Sequence, residues 1–214
     1  GLVGSEMCIR DRISLTAFYK LIKNPISRIE VASAGGYLSY ENIADKATVA
    51  GVEVEVRKNL FVRPLSSAAN GMNKLSFGLN GSYIYTNAKM PLATVTTGSQ
   101  LEGAAPWIAN FDLSHNFTKG NHSFINTLVL NYVSDKIYTI GTQGYQDIME
   151  QGMMTLDFVS QAKLNKYVSL TLKARNLLNP SYKLSRKANE SGEKVVLSDY
   201  KKGINISLGV SCTF

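Results

Sequence analysis

No stretch of this sequence approaches the roughly 18 uninterrupted apolar residues of a membrane-spanning helix, so helical spans are excluded. Cysteine is scarce. Cys8 and Cys212 lie at opposite ends in unlike surroundings, and His115 and His122 are the two histidines. A disulfide framework or a zinc centre needs closer and more numerous partners, so both cysteines read as unpaired thiols and no metal or cofactor is expected. Glycine-rich phosphate loops are missing too: Gly78-Leu79-Asn80-Gly81 falls within a strand pattern and precedes no helix. Acid is in deficit, with 16 Asp and Glu against 23 Lys and Arg, giving a net charge of +7 and a pI near 9.3. The bases are scattered (Lys20, Lys23, Arg28, Arg57, Lys58, Lys173, Arg175) and are densest at 183–187 and Lys201-Lys202. Without a continuous basic stripe and interleaved aromatics, they read as a solvated face, and nucleic acid is not an expected partner.

What is present is period-two alternation, the mark of strands with two unlike faces. Phe77, Leu79, Gly81, Tyr83 and Tyr85 alternate with Ser76, Gly78, Asn80, Ser82 and Thr86, with Ile84 the exception. Val168, Leu170, Leu172 and Ala174 alternate with Ser169, Thr171, Lys173 and Arg175. The last run is the cleanest: Ile204, Ile206, Leu208, Val210, Cys212 and Phe214 against Asn205, Ser207, Gly209, Ser211 and Thr213. The pattern predicts about eight strands near 13–33, 37–59, 74–87, 105–117, 122–139, 153–164, 167–187 and 203–214. Several are twice the length of sandwich strands and meet the roughly 9–11 residues that a tilted strand needs to cross a bilayer. Mean hydropathy, −0.06, fits a barrel as well as a soluble protein, because only alternate residues must face lipid. Strand length decides for the membrane barrel.

The connections alternate as well. Short turns fall at Thr118–Asn121 and Asn165-Lys166, and longer polar ones at 88–104, 140–152 and 188–202. That is the plan of short periplasmic turns and long external loops. Segment 60–73 is the misfit, because it should be periplasmic yet is long. Tyr37, Tyr40, Trp107, Tyr132, Tyr138, Tyr167 and Tyr182 cluster near strand ends, as interfacial girdles require. Residues 1–12 show neither alternation nor a signal-peptide plan and read as a non-native tail, like the translated adapter sequence found at broken gene ends. The barrel sequence is then expected over 13–214.

Four stretches carry a resemblance. Tyr40–Ala44 leads into Gly51-Val52-Glu53-Val54-Glu55-Val56, and Leu79–Thr86 follows. Next come Leu101-Glu102-Gly103-Ala104-Ala105-Pro106 through Asn110, then Leu156-Asp157 with Ala174-Arg175-Asn176-Leu177-Leu178-Asn179 and Tyr182. In order and spacing these resemble the C-terminal half of TonB-dependent receptors. The proline–arginine pair usual before the final strand is replaced by Lys201-Lys202-Gly203. The resemblance implies an all-β transmembrane barrel, of which this chain supplies about the last eight of some 22 strands. It further implies location in the outer membrane of a Gram-negative bacterium and TonB-energised uptake of a siderophore, cofactor, glycan or peptide. The implied partners are outer-membrane lipid, the receptor's own N-terminal plug domain, TonB, and the barrel-assembly machinery through the terminal Phe214. An aromatic end to a clean alternation is what that machinery reads.

No catalytic constellation emerges, and an enzyme is not expected. Ser114, His115 and Asp112 would make a triad on paper, but adjacent strand residues point to opposite faces. His115 and His122 lack a third ligand. Asn80, Asn110, Asp112, Asp157, Lys173 and Arg175 fall on polar faces that would line the lumen, where water or the plug would meet them. Substrate-binding residues cannot be named, but contacts are expected in the three long loops. The competing reading is a small self-contained barrel with a structural or adhesion role. An upstream plug domain, or a signal peptide directly before Ile13, would separate the two.

Overall fold

Strict alternation gives each strand two unlike faces, and neighbouring strands hold together where like faces line up. The computed structural model describes residues 3–7, 11–31, 36–65, 71–88, 100–142, 144–188 and 192–213, and every regular element among them is a strand. In chain order these are β1 (Val3–Met7), β2 (Arg12–Lys23), β3 (Ile26–Glu30), β4 (Leu38–Asn42) and β5 (Lys46–Leu65). They continue as β6 (Gly71–Ala88), β7 (Trp107–Lys119), β8 (His122–Val133), β9 (Lys136–Thr139) and β10 (Ile148–Glu150). The last five are β11 (Met153–Lys163), β12 (Val168–Arg175), β13 (Ser181–Lys187), β14 (Lys194–Lys201) and β15 (Asn205–Cys212).

Nine of them form one antiparallel wall in the order β1-β2-β5-β6-β7-β8-β11-β12-β15. Its register carries the alternating faces from strand to strand. Leu170, Leu172 and Ala174 stand opposite Val210, Leu208 and Ile206, while Thr171, Lys173 and Arg175 stand opposite Gly209, Ser207 and Asn205. On the far side of the wall, Ile13, Leu15 and Ala17 stand opposite Val56, Val54 and Val52. Between them the apolar face runs through Leu79, Phe111 and Leu130. It is left bare: Ile13, Leu15, Val54, Leu79, Leu172, Leu208 and Val210 are all exposed. An apolar surface as broad as a whole sheet is what a strand wall presents to lipid.

Aromatic residues edge this face. Tyr19, Tyr83, Tyr85, Trp107 and Tyr132 stand on it at the end nearest the long connections, all exposed, with the Tyr83 and Trp107 rings 4.6 Å apart. Phe117 and Phe124, 6.4 Å apart, mark the other end. Of the residues expected as a girdle, Trp107 and Tyr132 take part. Tyr40, Tyr138 and Tyr182 instead pack against charged groups above the wall. Alternation alone does not distinguish these two settings.

Strands β5 and β6, of 20 and 18 residues, leave only 66–70 between them, and this removes the long connection expected at 60–73. The cause is a bulge. Register slips between Asn59 and Phe61, so the extra residue Leu60 puts the alternation out of phase and hides the rest of the strand.

The opposite end is folded rather than looped. The expected run 13–33 breaks at Asn24, whose φ is 48°, ahead of Pro25. The run 167–187 breaks at Asn176 and Asn179, with φ of 59° and 43°, ahead of Pro180. Likewise 37–59 divides into β4 and β5, and 122–139 into β8 and β9. The connections at 140–152 and 188–202 carry β10 and β14, while residues 89–99 of the remaining long connection lie outside the described residues. Together β14-β13-β10-β9 form a second sheet, and the β3–β4 hairpin joins it through a bridge from Ile29 to Ile140. This cap holds the densest packing described. Ile29, Ile43, Ile137 and Ile140 make one core with Met149 against it, and Ala44, Ala47, Ala88 and Leu101 make another at the junction with the wall.

The wall does not close on itself, because β1 and β15 occupy its two edges. β1 lies in the segment set aside as a tail, and it pairs with Ile13–Ala17 of β2 although its sequence does not alternate. An open edge accepts extended backbone of almost any sequence. Phe214 lies outside the described residues.

Candidate functional site

The wall's second face is polar and hydrogen-bonded to itself. Asn110 Nδ2 donates to Asn80 Oδ1 at 3.4 Å, Ser114 and Thr127 share a hydroxyl contact of 3.1 Å, and Asn131 Nδ2 donates to Thr155 at 3.3 Å. At its centre, a cavity of about 360 Å3 is lined by Glu55, Arg57, Asn80, Asn110 and Asp112. Arg57 Nε lies 2.6 Å from Glu55 Oε1. Gly78 makes room for the acid on the neighbouring strand: a Cβ there would sit 2.3 Å from Asp112 Oδ1. The residue whose side chain would block the cleft is thus the one that has none. Three of the six expected lumen residues meet here, joined by Glu55 and Arg57. Nothing in the alternation singled these two out, since charge on a polar face is ordinary.

Asp157 has a different task. Its carboxylate accepts the Asn176 backbone N–H at 2.8 Å, while Leu177 N–H donates to Leu156 carbonyl at 2.8 Å. Asn176 Nδ2 donates to the Gly203 carbonyl at 2.7 Å, and Gly203 N–H donates to Asn179 Oδ1 at 3.0 Å. Gly203 has a φ of 84°, which suits glycine there. The Asp157/Asn176–Asn179 signature is therefore a clasp where β12 leaves the wall, β13 enters the cap, and the chain returns to β15. Lys173 and Arg175 remain on the polar face of β12.

A second cavity, of about 420 Å3, opens in the cap between Asp135, Asp147, Met149, Arg186, Lys187 and Lys194. Asp147, Met149 and Lys194 come from two of the three connections expected to meet substrate, while Asp135, Arg186 and Lys187 come from runs expected as strands. Arg186 is nearly buried, ion-paired with Glu30, with its guanidinium 5.3 Å from the Tyr145 ring. Burial lowers its pKa, yet a guanidinium keeps its charge. Asp147 Oδ1 accepts Gly141 N–H at 2.8 Å, which fixes the loop at the cavity's back. Nearby, Arg28 is ion-paired with Glu102, with its guanidinium over the Tyr138 ring at 4.4 Å. Tyr182 packs 5.0 Å from Tyr200 and donates to Glu150 at 3.3 Å. Burial, then the Glu150 charge, pushes its phenol up to about 12. The cavity thus offers cations, acids and one apolar side chain, a setting for a polar or charged ligand.

His115 and Ser114 face opposite sides of β7. The histidine pairs with Asn73 at 2.8 Å on the apolar face, and the serine with Thr127 on the polar one. His122 stands opposite Lys119. No group of three potential metal ligands occurs among the described residues.

Residues 9–177 match the family model described as TonB dependent receptor-like, beta-barrel. No curated protein and no solved structure matches the chain.

Proposed function

Because the chain belongs to the TonB-dependent receptor-like β-barrel family, a family of outer-membrane receptors and transporters, we propose that it forms part of the wall and the external cap of a barrel of about 22 strands that imports a scarce nutrient into a Gram-negative cell. The observation that carries this reading is the wall itself. One face is bare and apolar between aromatic borders, the other is polar, and a folded cap with a charged cavity stands over one end. The polar face around Glu55, Arg57 and Asp112 is where an N-terminal plug domain would dock, and TonB would supply the energy. Phe214 would be the residue read by the barrel-assembly machinery, and the chain would carry out no chemistry of its own. Residues 1–12 would be foreign to the barrel. The separation of β2 from β15 by six other strands in an open sheet supports a larger barrel over a small self-contained one.

The test uses the full-length receptor in a host stripped of its own receptors. Ferric siderophores, cobalamin, oligosaccharides and peptides are each supplied as the limiting nutrient. Growth on one of them is expected to require TonB. It should fall when Arg186, Lys187 and Lys194 are changed to alanine together, with the amount of receptor in the outer membrane unchanged. Uptake indifferent to TonB would overturn the reading.

A further inference from the structure

Polar side chains on a lipid face are exceptional, and this wall has a row of them. Followed across the register, Arg63 of β5 stands opposite Asn73 of β6, and His115 of β7 stands opposite Asn126 of β8. Asn73 joins His115 through a 2.8 Å hydrogen bond, and Ser160 of β11 donates to Asn126 Oδ1 at 2.7 Å. The five residues therefore run unbroken over five strands on the apolar face. Apolar layers flank the row: Phe77, Leu113, Leu128 and Phe158 on the side of the cap, Phe117 and Phe124 on the other.

Height and chemistry both narrow what the row can meet. His115 lies four residues from the end of β7, which at about 3.3 Å per residue and a tilt near 40° is roughly 10 Å above the short turn. That is the level of the inner leaflet's headgroup boundary, well short of the midplane. The two internal bonds occupy acceptor oxygens, Asn73 Oδ1 and Asn126 Oδ1. What remains toward lipid is the amide NH2 of Asn73, the amide NH2 of Asn126 and the guanidinium of Arg63, all donors. Lys119 and His122 stand on the same face nearer the short turn, and Lys58, ion-paired to Asp11 at 3.7 Å, stands on it beside Phe77. A surface of donors and positive charge at the level of the headgroups favours an acceptor-rich anionic partner.

We propose that Arg63, Asn73, His115 and Asn126 form a binding site for the phosphate-bearing headgroup of an inner-leaflet phospholipid, held against the outside of the barrel wall. This rests on the membrane-wall reading above. The headgroup phosphate and ester oxygens accept from Arg63 and the two amides, and Phe117 and Phe124 pack against the first carbons of the acyl chains. His115 is a positioning residue, fixing the Asn73 amide so that its nitrogen points outward.

The experiment takes the full-length receptor from bilayers containing phosphatidylglycerol and counts the lipids that stay bound in native mass spectrometry. Retention is expected to fall roughly tenfold, about 1.4 kcal/mol, in the variant Arg63→Leu/Asn73→Leu/Asn126→Leu. Asn110→Leu, on the other face, should leave it unchanged. In parallel, a phosphatidylglycerol carrying a photoreactive headgroup is crosslinked to the unaltered receptor, so the outcome does not depend on the variant folding. Crosslinks are expected within 61–65, 71–75 and 113–126. Equal retention in an outer-membrane, heat-modifiable variant, or crosslinks spread evenly round the wall, would overturn the site. Failure of the unaltered receptor to reach the outer membrane would instead overturn the wall reading beneath it.

Discussion

Single residues in this protein are set by what stands beside them on the same face. Asp112 lies over Gly78, Asp157 clasps the Asn176 turn, and Tyr182 is held by Glu150. The last has a measurable consequence. A phenol whose pKa rises to about 12 on folding favours the folded state below the ordinary value near 10, and that contribution is lost as pH climbs from 10 through 12. Tyr182 in the full-length receptor should therefore titrate well above the ordinary phenol value near 10, read from a carbon-13 tyrosine label against Tyr182→Phe. Glu150→Gln should lower its midpoint while leaving it above 10, because burial is the larger cause. A midpoint that does not move would mean that Glu150 plays no part.

Strands set the next level, where register decides which residues meet lipid. Leu172 stands on the apolar face between Ser160 and Leu208, and Thr171 on the polar face beside Gln161 and Gly209. Toward lipid an arginine costs roughly 2–4 kcal/mol at the midplane and about 0–1 kcal/mol near the interfaces, and far less toward the lumen. Leu172, in register with Ser160, lies nearer the interface. Leu172→Arg should impair assembly of the full-length receptor more than Thr171→Arg does, as read by heat-modifiability on gels. Equal outcomes would contradict the register. This level was largely legible in the sequence, because period two survives in β6, β7, β11, β12 and β15 and fixes both faces without knowledge of the neighbours. The breaks at Asn24 and Asn176 were not. A strand entering the cap also alternates, so the pattern runs on through a residue with positive φ. Nor was the Leu60 bulge, where one extra residue made a continuous strand look like a loop. The cavity around Arg57 and Asp112 and the outward row from Arg63 to Ser160 were hidden for another reason: they exist only across strands, and no window along the chain contains them.

At the scale of the whole molecule, the wall has two open edges and a bare apolar face, while the packed cores sit in the cap. Expressed as it stands, the chain should associate in detergent into mixed oligomers, because edges and apolar face both seek partners. A monodisperse, heat-resistant monomer in light scattering would contradict this. The cap imposes a further condition, one of time. Arg186 pairs with Glu30 across 156 positions, and Thr142 with the Glu30 carbonyl across 112. Ile29 and Ile140 share a core although four wall strands separate them in the chain. Contacts of such long range form slowly, because the intervening loop must lose its freedom before they return anything. Neighbouring wall strands, joined by turns as short as Gly120-Asn121, can pair as they arrive. The cap must wait for β13, which follows eight of the nine wall strands in the chain. The cap should thus complete its contacts after the wall strands that precede β13, with those strands as its template.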